Sequence, residues 1–186
     1  MNMFVSPFMK VTTKTEKKLS FSLLYMLIIG SIVMGYFDSK LMNETASYGM
    51  FSFELAGDLE HSRQILDSWS PGAKIFAGLS LGFDYLFLLI YTLFIALLIH
   101  KVNERLWANK PQYRLGGLLI WSMFITAIFD GVENVALIKL LIGNYTEYWP
   151  WVAYYFSFAK FTLICISLIY LIINGAYWLF KKFSNG

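Results

Sequence analysis

The chain has 186 residues, of which 58% are hydrophobic, 19% aromatic and 15% charged, with a mean hydropathy of +0.56. Soluble domains carry about 25% charged residues, so this composition excludes a water-facing globule and points to burial in a bilayer. The net charge of +3 is modest and most positive residues sit in the tails and one loop, which reads as a topology signal rather than a nucleic-acid footprint, and the single cysteine, Cys165, excludes an intramolecular disulfide or a CxxC redox pair.

A bilayer core about 30 Å thick needs about 20 apolar residues per helix, and four such stretches occupy most of the chain. A basic tail over residues 1–18, with Lys10, Lys14, Lys17 and Lys18, precedes a first span at 19–37. That apolar run is too long for a signal-peptide h-region and no small-x-small site follows it, so an uncleaved signal anchor is expected. A loop at 38–72 is too long for a simple turn. Its second half, about 58–70, predicts a short amphipathic helix with Asp58 as N-cap and Pro71-Gly72 as the stop. Leu59, Ile65, Leu66 and Trp69 share its apolar side, which suits either the membrane surface or a cap over the bundle mouth. Further spans are expected at 73–100, 115–143 and 150–180. A basic loop at 101–114, a short outer loop at 144–149 and a tail at 181–186 join and end them.

Lysine and arginine set the orientation. The first tail, the 101–114 loop (Lys101, Arg105, Lys110, Arg114) and the end of the chain (Lys181, Lys182) are basic, whereas the outer loops are poor in positive charge. Both termini are therefore expected in the cytoplasm. Tyr145, Tyr148, Trp149 and Trp151 mark the outer headgroup level, and Trp107, Tyr113, Trp121 and Trp178 the inner one. The expected fold is all-α: an integral membrane four-helix transmembrane bundle with a short extracytoplasmic helix in the first loop.

Ionisable residues inside the spans carry the functional signal. Asp84 in the second span, Asp130, Glu133 and Asn134 in the third, and Lys160 in the fourth fall in one layer about 14–20 Å below the outer helix ends, at 1.5 Å per residue. At 100° per residue, Thr126, Asp130, Glu133 and Asn134 occupy one stripe. Ser157, Lys160, Ser167 and Asn174 form another, and Ala77, Ser80, Asp84 and Tyr91 a third. Ser31 and Gly35 are expected to do the same on the first span. Lipid cannot satisfy such stripes, so they should face the bundle interior.

An ionised group at the bilayer centre costs about 2.5–3.5 kcal/mol even on the lenient insertion scale, so three acids and a lysine call for a role. A register-fixing salt bridge between Lys160 and Asp130 or Glu133 is one. Yet three carboxylates against one ammonium leave two negative charges, to be balanced by protons or a bound cation. Glu54 could fold into the mouth and add a fourth acid. A hard divalent cation such as Mg²⁺ or Ca²⁺ would suit Asp84, Asp130 and Glu133, and a cationic amine would suit the same charge; no other cofactor is expected. Cys165 and the two histidines, His61 and His100, both read as loop residues, give no metal or haem set.

Five stretches resemble an uncharacterised family of small four-span bacterial membrane proteins: Phe53-Glu54-Leu55-Ala56-Gly57, Ile65-Leu66-Asp67-Ser68-Trp69, Asp84-Tyr85-Leu86-Phe87 with Tyr91, Asp130-Gly131-Val132-Glu133-Asn134, and Lys160-Phe161. The resemblance implies the same fold, a bacterial cytoplasmic membrane location, and a pocket built from Glu54, Asp84, Asp130, Glu133, Asn134 and Lys160, and Tyr91 is a further pocket candidate. It implies no reaction. Three functions stay open: an outward-facing pocket that binds or transports a proton, cation or cationic small molecule; a membrane enzyme acting on a lipid or isoprenoid; and a structural or accessory subunit. The expected partners are the lipid bilayer and a small cation, amine or lipid ligand, and a homodimer is compatible with so little soluble mass.

Overall fold

A computed structural model describes residues 5–184; residues 1–4 and 185–186, the extremities of the two tails, lie outside the described residues. The elements are α1 (Thr13–Asp38), α2 (Met50–Glu54), α3 (Leu59–Ser68), α4 (Pro71–Trp107), α5 (Tyr113–Leu141) and α6 (Tyr148–Ser184). The architecture is all-helical, and α1, α4, α5 and α6 are long and apolar enough to cross a membrane. At 1.5 Å per residue the 37 residues of α4 span about 55 Å, well beyond a hydrocarbon core of about 30 Å.

Local chemistry sets the helix ends. The Ser70 hydroxyl accepts from Ala73 N at 3.2 Å, and Pro71 takes the first position of α4, where its missing N–H leaves nothing unsatisfied. Pro71 thus opens the spanning helix as well as following α3. Gly143, at φ +89°, ends α5 in the left-handed region, with Asn144 N donating back to Lys139 O at 2.9 Å.

Asp58 caps α3, accepting from His61 N at 2.8 Å and pairing with His61 Nδ1 at 2.6 Å. The backbone N–H of His61 holds the Asp58 carboxyl below its ordinary value, and the bond to Asp58 raises the His61 imidazole above its own. The Asp58 contribution is present above the ordinary carboxyl value of 3.8 and is lost as pH falls through its lowered value. The His61 contribution is present below the ordinary value of 6.5 and is lost as pH rises through its raised value. The cap is therefore expected to be firmest between those two ordinary values. Amide exchange at His61 and Ser62 followed against pH should show maximal protection there, and Asp58→Asn should flatten the profile.

α4, α5 and α6 pack on one another, whereas α1 leans on α4 and, among the described residues, makes at most marginal contact with α6. The face that α1 presents to α4 is Leu23, Leu27 and Gly30; a Cβ on Gly30 would lie 2.7 Å from the Phe87 ring. Ser31 and Gly35 are exposed instead, against the expectation that they line the interior. The stripe expected of them lies on the far side of α1 because close approach to Phe87 sets the rotation of the helix. Cys165 is likewise exposed on α6, and His100 is buried within α4 rather than lying in a loop.

The first loop folds back onto the bundle. Leu41, Ala46, Met50 and Phe53 join Ile65, Leu66 and Trp69 in one apolar cluster with Ala77, Leu81, Ala136, Leu137, Leu140 and Ala153, at the start of α4, the end of α5 and the start of α6. The Trp69 indole donates to Leu41 O at 2.8 Å and meets Phe53 edge-on. α3 therefore packs as a cap over these ends of the bundle.

At the inner end Asn103 donates to Tyr113 O at 2.9 Å and accepts from the Tyr170 hydroxyl at 3.3 Å, while Trp107 donates to Asn174 at 2.7 Å. Gly116 makes room for this network, since a Cβ there would fall 2.3–2.5 Å from the Asn103 amide. Gly116→Ala should overpack the α4–α5 contact and lower stability by about 1–3 kcal/mol, read as a fall in melting temperature in detergent; Gly175→Ala, which meets nothing within 4 Å, is the control.

Candidate functional site

Four helices deliver the polar layer. On α5 the stripe of Thr126, Asp130, Glu133 and Asn134 turns inward and is buried. α6 brings Lys160, also buried, and α4 brings the half-buried Asp84 and Tyr91. From above, the one-and-a-half turns of α2 lower Glu54 into the same layer. The loop makes this possible at Gly49, where φ +55° and ψ −124° let the Asp38 carboxylate accept from Met50 N at 2.7 Å. No L side chain occupies that conformation without strain.

Lys160 is the hub. Its ammonium donates to Asp130 Oδ1 at 2.7 Å and to Glu133 Oε1 at 2.9 Å, and it stands 2.8 Å from Glu133 Oε2 and 3.6 Å from Glu54 Oε2. Tyr91 secures the other Asp130 oxygen, its hydroxyl donating to Oδ2 at 2.6 Å. Beside this quartet, Asn134 donates to Asp84 Oδ2 at 2.6 Å. Every residue that the sequence marks as a pocket candidate lies in one of these two connected groups. They differ in access, however: Glu54, Asp84, Tyr91, Asp130 and Lys160 reach a cavity of about 440 Å³, while Glu133 and Asn134 sit behind them in the protein. Glu54 Oε2 is buried and has no hydrogen-bond partner.

Lys160 Nζ lies among the carboxylates of Glu54, Asp130 and Glu133. Among the described residues no three acidic, histidine or cysteine side chains converge as a metal-binding group. The cavity also differs from the expected form. At the ends of α4, α5 and α6 where an opening was expected, the cluster around Phe53, Leu66 and Trp69 packs together, and the cavity runs along α4 and α6, with Leu27 of α1 at its flank. Its wall beyond the polar end is apolar, with Phe87, Phe94 and Leu98 on α4 and Ile164, Leu168 and Leu171 on α6.

Sequence reasoning misses this wall. Asp84, Phe87, Tyr91, Phe94 and Leu98 recur at helical spacing, as do Lys160, Ile164, Leu168 and Leu171, so the signal is present. In a span that is apolar all round, however, one more apolar stripe carries no information about which face is inward. A larger cleft of about 790 Å³ lies between the start of the described chain and the inner loop, lined by Glu104, Lys110 and Arg114 among others. Its lining residues are exposed or half-buried, and it holds no buried ionisable group. Comparison with protein-family models, with curated proteins and with solved structures finds no match for this chain.

Proposed function

We propose that the chain binds a proton, a cation or a small cationic molecule within the membrane at the cluster of Glu54, Asp84, Asp130, Glu133 and Lys160, and that any transport of that species would use the same site. One observation carries this reading: three carboxylates meet a single ammonium, and a fourth, Asp84, lines the cavity beside them. Charge of one sign in a low-dielectric setting is not held without a counter-charge, and a protonated acid or a bound cation supplies it. Asp84 is the group best placed to meet a ligand. It lines the cavity and is tied to Asn134 rather than to Lys160.

An enzyme acting on a lipid or isoprenoid is the second reading, and the long apolar wall favours it. Asp84 would then be the acid or base, with Asn134 orienting it. Lys160 would have to stabilise developing negative charge, but its ammonium already sits among three carboxylates. The binding reading therefore ranks first.

Its test is the thermal stability of the purified protein across a panel of inorganic cations and amines. At least one should raise the melting temperature of the wild type, and Asp84→Asn and Glu54→Gln should each remove most of that rise. Asp84→Asn is the cleaner variant, because the amide oxygen can still accept from Asn134. If both variants keep the full shift, the proposal is wrong.

A further inference from the structure

We propose that the ligand of this cavity is a single-chain amphiphile with a protonated amine head, which enters sideways from the bilayer between α1 and α6. The inference rests on the cation-binding reading above and adds the chemistry of the rest of the molecule. Three observations lead to it.

The first is the division of the cavity wall. All of its ionisable groups lie at one end, and beyond them the lining is apolar. Leu98 lies about 21 Å along α4 from Asp84, and Leu171 about 16 Å along α6 from Lys160, at 1.5 Å per residue. A leaflet of the hydrocarbon core is about 15 Å deep, so the apolar part of the groove is as long as one lipid chain. An inorganic cation or a compact amine would leave that length unfilled. The volume of about 440 Å³ lies in the range of roughly 300–1,000 Å³ typical of sites for small organic molecules.

The second is the position of the open side. The cap of α2 and α3 closes the outer mouth, while α1 packs on α4 and leaves its edge toward α6 without substantial contact. Phe51 and Leu168, two of the lining residues, are exposed on that side. A ligand already dissolved in the membrane reaches the groove without crossing water. The third is charge. The polar end is lined by Glu54, Asp84 and Asp130 against the single ammonium of Lys160, and Asp84 makes no ion pair with it. An ammonium head adds positive charge beside Asp84, whereas a phosphate or sulfate head meets repulsion from the acids.

The experiment is a thermal-shift series on the full chain in detergent, with butylamine, dodecylamine, dodecanol and dodecyl sulfate. The long-chain probes are compared at equal mole fraction in the micelle. Dodecylamine should stabilise the protein well beyond butylamine, with dodecanol and dodecyl sulfate giving little. Asp84→Asn should weaken dodecylamine binding about tenfold, as expected for losing a hydrogen bond to a charged group. Ile164→Trp fills the groove below the polar end and should remove the advantage of the long chain while leaving the butylamine response intact. Leu168→Trp, at an exposed position, serves the same purpose should Ile164→Trp fail to fold. If butylamine and dodecylamine stabilise equally, or if dodecyl sulfate matches dodecylamine, the amphiphile inference fails while cation binding survives. If no amine of either length stabilises the wild type, the inference fails together with amine binding; cation binding then rests on the inorganic arm of the earlier panel.

Discussion

Lys160→Met is expected to be the most damaging single substitution in the protein, lowering its stability by about 3–5 kcal/mol, the usual consequence of removing one partner from a buried ion pair. The reason lies in the surroundings of the ammonium. Asp130 and Glu133 are almost wholly buried, and both direct oxygens at Lys160 Nζ at distances of 2.7–2.9 Å. Without the ammonium, Tyr91 remains as a donor to Asp130, but the described structure gives Glu133 no other hydrogen-bond donor. The melting temperature in detergent should fall sharply, and yield should fall with it. Adding Asp130→Asn and Glu133→Gln to Lys160→Met should recover most of the loss, because replacing every member of a buried ionic group is far milder than orphaning one. A triple variant no more stable than Lys160→Met alone would show that Lys160 acts by packing and not by charge.

Gly49→Ala is expected to have the next largest effect, and it links backbone geometry to the site. The dihedral angles at Gly49 belong to glycine, and holding another residue there costs about 1–3 kcal/mol. A Cβ would also fall 2.1 Å from Asp38 Oδ1, the atom that caps the start of α2 through Met50 N. Losing that charge-assisted bond removes about 1.5–3 kcal/mol more. Because α2 is only five residues long, it has no internal reserve, and Glu54 should leave the polar layer with it. The variant should therefore resemble Glu54→Gln in amine response while being clearly less stable. Hydrogen exchange over residues 49–56 is the direct check: exchange should rise strongly there and little in α4, α5 and α6.

The fold was largely legible before any coordinates, and the reason is physical. Four apolar runs of spanning length leave few architectures open, since lipid forces each backbone segment to satisfy its own hydrogen bonds. The polar stripe of α5 was equally legible, because Asp130, Glu133 and Asn134 have one affordable direction to face. Where the sequence was silent, the competing choices were near-equal in energy. Ser31 and Gly35 suggested an inward face for α1, but neither side chain requires burial, and the packing of Gly30 on Phe87 turned the helix the other way. Glu54 could be foreseen only as a loop acid within reach of the site. What delivers it is a cap of Phe53, Leu66 and Trp69 whose long-range pairing no local pattern records. The same cap packs over the ends of α4, α5 and α6, where an opening was expected.

With the sideways entry proposed above, the loop that carries α2 and α3 has a defined task. It packs over the ends of α4, α5 and α6 and supplies one carboxylate to the polar end of the cavity. That arrangement strengthens electrostatic selection, since the same charge pair interacts several-fold more strongly in a low-dielectric site than in water. It also explains why Tyr91 and Asn134 matter although neither carries charge. Each fixes one oxygen of an acid at 2.6 Å, and so leaves the remaining oxygens aimed at Lys160 or at the cavity.

Photo-crosslinking in lipid nanodiscs tests the central claim most directly. With a photoreactive long-chain amine, adducts should concentrate in residues 84–98 of α4 and 160–171 of α6, and Asp84→Asn should reduce them about tenfold, the change equivalent to ~1.4 kcal/mol. Adducts spread evenly over the lipid-exposed faces of α1 and α6, at equal yield in wild type and Asp84→Asn, would contradict an acid-headed binding groove in this protein.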